Sequence, residues 1–117
     1  MEIRMDTEFK KSYSDKKEMR RDFLRDILIQ IGLAGTQKQI DILTYVLEHV
    51  ERGNLFIGTL DQISEETGYN YNTVHTLFGA LKASGYIIKL ERGCYEVSTT
   101  LLLHSNQADI KIHYELK

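Results

Sequence analysis

The sequence predicts an α+β domain. Apolar residues recur at helical spacing from Phe23 to Leu81, two β-branched and aromatic runs flank the turn Glu91-Arg92-Gly93, and the last residues alternate apolar and polar. The chain has 117 residues, 42% of them apolar and 27% charged, which suits one soluble domain with one core. No apolar run approaches the roughly 18 residues of a membrane-spanning helix. The charged opening MEIRMDTEFKK lacks the apolar stretch of a secretion signal. A single cysteine, Cys94, excludes an internal disulfide and a cysteine-based zinc site. A reducing, cytoplasmic setting with no membrane partner and no cofactor is expected.

Each element has a local cause. Residues 1–21 are polar, with Met5, Phe9 and Tyr13 spaced by four, and read as an N-terminal arm or helix. Residues 22–117 read as the domain proper. Phe23, Leu24, Ile27, Leu28 and Ile31 make a wide stripe on an additional N-terminal helix, which Gly32 and Gly35 end. The stripe is wider than one packing face needs, so part of it is expected at a two-fold interface between two copies. Thr36 caps the next helix, traced by Ile40, Leu43, Val46, Leu47 and Val50 and stopped by Gly53-Asn54. Leu55, Phe56 and Ile57 are β-prone and too few for a helix, hence a short strand.

Thr59 and Gln62 form a T-x-x-Q capping box for a helix of about two turns. Its Leu60 and Ile63 face inward, and Gly68 ends it. Asn70 or Asn72 caps the helix that follows, whose apolar residues are Val74, Leu77, Phe78 and Leu81 and whose C′ residue is Gly85. Tyr86 to Leu90 and Cys94 to Val97 are the strands of a hairpin. Ile110, Ile112, Tyr114 and Leu116 alternate with Lys111, His113 and Glu115, the pattern of a C-terminal strand with one buried face.

From Thr36 the order is helix, short strand, helix, turn, helix, hairpin. That is the order of a winged helix-turn-helix, in which two helices cross at a tight turn and the second enters the DNA major groove. In the second helix the apolar spacing leaves Tyr71, Asn72, Thr73, His75, Thr76 and Lys82 outside. An asparagine amide can pair bidentately with adenine, and a threonine can meet a thymine methyl or a base-edge acceptor. Arg92 at the hairpin tip can hold the backbone or the minor groove. The expected ligand is double-stranded DNA, and the expected DNA-binding residues are Tyr71, Asn72, Thr73, His75, Thr76, Lys82 and Arg92.

Charge argues the other way. The net charge is −2, from 15 basic and 17 acidic side chains, whereas DNA-binding domains are commonly basic. Within residues 55–98 the cations are Lys82, Lys89 and Arg92. A homodimer would double them, and the clusters Lys10-Lys11, Lys16-Lys17 and Arg20-Arg21 could add phosphate contacts.

The stretches IGLAGTQKQIDILTYVLEHV and NLFIGTLDQISEETGYNYNTVHTLFGALKASGYI, with the wing RGCYEVS, resemble the firmicute plasmid replication protein family, RepL. The resemblance covers about residues 22–116, the closing STTLLLHSNQADIKIHYEL included. Ser98-Thr99 stands where the family usually has Asn-Pro. The resemblance implies a replication initiator that binds the plasmid origin and recruits host replication proteins, without catalysis of its own. The residues leave open a transcriptional or copy-number repressor, and a winged helix that binds protein within a replication complex.

Other chemistry lacks its spacing. His49, His75, His104 and His113 show no metal-chelating pair. Without one, Tyr13, Tyr69 and Tyr71 lack the setting of a nicking nucleophile. Cys94 reads as a buried strand residue. Asp61, Glu65 and Glu66 read as a solvated face, and no phosphate-binding G-x-x-x-x-G-K-[ST] loop occurs. No enzyme is expected.

Overall fold

The computed structural model describes residues 18–103. Its elements are α1 (residues 18–30), α2 (Gln37–Glu48), β1 (Val50–Glu51), β2 (Leu55–Ile57), α3 (Leu60–Thr67), α4 (Tyr71–Ala83), β3 (Ile87–Glu91), β4 (Cys94–Val97) and α5 (Thr99–Leu102). The four strands form one antiparallel sheet in the order β1-β2-β4-β3. The predicted α+β class and winged helix-turn-helix order are therefore present. The expected C-terminal strand lies outside the described residues, as do residues 1–17; residues 18–21, the end of the segment expected as a polar arm or helix, are helical.

The helices begin and end where the sequence places caps. Thr36 and Thr59 each accept from a backbone N–H three residues on, and Gln39 and Gln62 reach back to the cap N–H, so both capping boxes are complete. Asn70, not Asn72, caps α4: its side chain accepts from the Asn72 N–H at 2.7 Å. At the far end of α4 the Tyr86 N–H bonds to Leu81 O and the Gly85 N–H to Lys82 O. This closure needs a left-handed C′ residue, and Gly85 supplies it with φ +84°.

One expectation is corrected here. Val50 does not continue the second helix, which stops at Glu48. Val50 pairs with Phe56 in the hairpin β1–β2 instead. The loop between them holds Gly53 at φ +87° and Asn54 at φ +60°, a conformation that asparagine tolerates better than most residues. Val50 is buried in either case, so the apolar pattern did not show where the backbone changed. The stripe on α1 is divided: Leu24, Ile27 and Leu28 are buried in the core, while Phe23 and Ile31 pack against it and keep part of their surface exposed.

The core runs between the helices and one face of the sheet. Leu24, Leu43, Leu47, Ile63, Leu77, Phe78 and Leu81 meet Phe56, Ile87, Tyr95 and Val97 from the strands. The other sheet face keeps Ile57, Ile88 and Leu90 exposed. After β4, Ser98 caps the one-turn helix α5 and accepts from the Thr100 N–H. Leu101 and Leu102 return to the core from it. This helix was not anticipated.

The turn between α3 and α4 is tied to α2 by a hydrogen bond from the Tyr69 hydroxyl to the Asp41 carboxylate. That bond first, then burial and the Asp41 charge, hold the Tyr69 phenol above its ordinary value. A phenol whose pKa is higher folded than unfolded adds stability below the unfolded value, and loses it as pH rises through the folded one. Tyr69→Phe is expected to lower the thermal midpoint at neutral pH and to flatten its fall above about pH 10. Melting curves of both proteins across that range check this.

Candidate nucleic-acid interface

Helix α4 is built from its buried side outward. Val74, Leu77, Phe78 and Leu81 are buried and fix the helix rotation. At 100° per residue, Asn72, Thr76, Gly79 and Ala83 then fall within about 60° of one another on the opposite side. All four are exposed, as are His75 and Lys82 on one flank. Because Asn70 supplies the cap, the Asn72 amide is not spent on the helix terminus. Tyr71 is exposed, and its ring stacks on His75 with centroids 5.9 Å apart. Thr73 is half-buried on the other flank, away from the outer face.

The wing stands beside the start of α4. A cleft of about 270 Å³ between them is lined by Thr59, Asp61, Tyr71, Lys89, Arg92 and Tyr95, among others. Of the expected residues, it brings Tyr71 and Arg92 together. Lys82 sits in the last turn of α4, about 16 Å along the helix axis from Tyr71. Burial, with a smaller effect from Tyr71, holds the Tyr95 phenol above its ordinary value.

Lys89 was not among the expected site residues, yet it lines the same cleft as Arg92. The signal was available in the strand period. Ile87 points into the core, so Lys89, two residues on, shares its side of the sheet. Lys89 pairs with Tyr95 across the wing, and its exposed side chain lines the cleft. Asp61 places one carboxylate among these cations. Of the N-terminal basic clusters, Arg20 and Arg21 lie on α1 and line a separate cleft with Gln37 and Asp41. Lys10-Lys11 and Lys16-Lys17 lie outside the described residues.

Other singled-out residues have structural surroundings. His49 contacts the Tyr45 carbonyl through Nδ1 at 2.7 Å, and its ring packs on Tyr45. Cys94 is half-buried rather than buried, on the sheet face turned from the helices and opposite Ile57. Among the described residues no group of three or more His, Cys, Asp or Glu side chains is placed to hold a metal ion. No described helix is long and apolar enough to cross a membrane.

A three-helix core containing the pair α3–α4, followed by the hairpin β3–β4, defines a winged helix-turn-helix protein. The chain matches the family of firmicute plasmid replication proteins (RepL) over residues 4–115 and belongs to that family. The match takes in most of the N-terminal segment, from residue 4 onward. The chain is thus a plasmid replication protein with a winged-helix fold.

Among solved structures it is similar to the reduced Fe(II) CO-sensing protein of R. rubrum. The identity is 21% and the TM-score 0.50, over 72% of this chain and 40% of that one. The chain thus spans 40% of the CO sensor's length, and the likeness is one of fold. It is also similar to the multiple antibiotic-resistance repressor (MarR) of Listeria monocytogenes 4b F2365. There the identity is 13% and the TM-score 0.47, over 99% of this chain and 78% of that one. No curated protein matches the chain.

The cleft sets one expectation. Lys89→Ala and Arg92→Ala should each weaken binding to every duplex alike and lower the salt dependence by about one phosphate contact. Asp61→Asn should raise affinity, because it removes a carboxylate from beside Lys89 and Arg92. Binding titrations of the three variants at two salt concentrations check all of this.

Proposed function

We propose that this protein is a sequence-specific double-stranded DNA-binding initiator that binds its plasmid's origin and assembles host replication proteins there. The observation that carries the reading is the outer face of α4, where Asn72, His75 and Thr76 stand exposed on a helix whose other side is buried. These side chains can donate to and accept from base edges. Lys82, Lys89 and Arg92 hold the backbone on either side. The role is one of binding and recruitment, without catalysis by the chain itself, and it places the protein in the cytoplasm with its plasmid.

Three cations make a weak electrostatic footprint. A homodimer on a two-fold site doubles it, and two copies on DNA would set two α4 helices about one helical turn apart. Light scattering at tens of micromolar is expected to give the mass of two chains in the presence of the site duplex. A strict monomer, free and bound, would exclude this.

Footprinting on tiled fragments of the source plasmid is expected to protect the origin region. Protection confined to a promoter, with plasmid replication intact in its absence, would identify a repressor instead. Asn72→Ala should lose about 1–3 kcal/mol on the protected duplex and much less on a scrambled one, with the thermal midpoint nearly unchanged. If the folded variant binds the protected duplex as tightly as the parent, α4 is not the reading element.

A further inference from the structure

Gly79 lies in the middle of α4, on the outer face between Thr76 and Lys82. A glycine inside a helix weakens it relative to alanine, because the backbone loses more freedom on folding. Two internal reasons normally justify that cost, and neither applies. The backbone at Gly79 is not left-handed: Gly32, Gly35, Gly53, Gly68, Gly85 and Gly93 have positive φ, and Gly79 does not. No neighbour crowds it either, since a Cβ built on Gly79 would meet nothing within 4 Å. Gly58, by contrast, would bring a Cβ to 3.2 Å from the Phe56 ring. The reason for Gly79 thus lies outside the described fold, on the side of the helix that faces solvent.

Its surroundings say what would come close. Thr76, Gly79 and Lys82 follow one another at intervals of three, a row that crosses the helix surface obliquely. A hydroxyl stands at one end, an ammonium at the other, and a bare backbone between them. An apolar partner helix would meet that hydroxyl and charge across its contact surface. A phosphodiester suits the row, because its oxygens can accept from the Thr76 hydroxyl and the Lys82 ammonium while the strand rests against the helix.

We propose that a DNA phosphate sits over Gly79, held by Thr76 and Lys82, and that this glycine sets how deeply α4 enters the groove. The proposal rests on the DNA-binding reading of α4 and adds to it the point of closest backbone approach. A side chain at this position would lift the whole helix, so bases read near Asn72 would be lost along with the phosphate.

Gly79→Ala and Gly79→Leu test this, because the expected signs are opposite for folding and for binding. Both residues form helix better than glycine, so each variant should melt higher than the parent, by about 2–6 °C. Each should bind DNA less tightly, about tenfold for Gly79→Ala and more for Gly79→Leu. Random-sequence duplex at low salt should show the loss as well as the origin fragment, with the salt dependence reduced by about one contact.

The parent chain is titrated first on both duplexes. If it binds neither, the DNA-binding reading falls and this proposal with it. If the parent binds and both stabilised variants bind equally well, only the proposal is overturned. Loss of self-association with unchanged DNA affinity would assign Gly79 to a contact between proteins and would likewise overturn it.

Discussion

Phe78 meets Tyr95 edge-to-face, with ring centroids 5.1 Å apart and planes at 71°. Both side chains are buried. This contact joins the inner side of α4 to the inner face of the wing, and the rest of the candidate interface depends on it. Edge-to-face rings are favoured by their quadrupoles as well as by burial. With Phe78 held, and Val74, Leu77 and Leu81 seated on either side, α4 cannot rotate by one residue without pulling a large apolar side chain from the core. The polar residues opposite are aimed by that constraint rather than by any contact of their own. Tyr95 extends the same constraint to the wing: it is pinned from one side by Phe78 and lines the cleft below Lys89 and Arg92 on the other.

A second tie works on the turn. The Tyr69 hydroxyl reaches back to Asp41 on α2, and the Ser64 hydroxyl donates to the Tyr69 carbonyl at 2.6 Å. Gly68 lets the chain reverse between α3 and α4 at φ +78°. The turn that leads into α4 is therefore tied by two hydrogen bonds before the helix presents Asn72. A recognition element that must place an amide within hydrogen-bond distance of a base edge gains from such bracing, since flexibility there would cost ordering entropy on binding.

The low charge of the domain shapes how the proposed interface would work. Lys82 lies at one end of α4, while Lys89 and Arg92 lie at the other beside Asp61. The middle of the helix face is neutral. On the proposed reading, affinity comes from a few end contacts and from close fit along a bare stretch of helix. Such an interface discriminates sequences through hydrogen bonds and approach distance more than through bulk attraction to phosphate. It also gains more from a second copy than a strongly basic domain would.

Much of this was legible in the sequence because it is local. Thr36, Thr59, Gly68 and Gly85 mark helix ends through hydrogen bonds that span a few residues, and the periods of 3.6 and 2 assign Val74 to Leu81 and the wing strands. What the sequence could not decide were choices between local structures of equal merit. Asn70 and Asn72 are both good caps, and only the path out of the α3–α4 turn selects Asn70 and releases Asn72. Val50 is apolar in register with α2, yet pairing with Phe56 draws it into a strand. Lys89 joins the cleft only through the placement of the wing beside the start of α4. In each case the deciding contact joins residues distant in sequence or depends on how elements are placed in space. Composition and period thus determined the elements and the inward residues; the packing of α4 against the wing decided which outward residues share a surface.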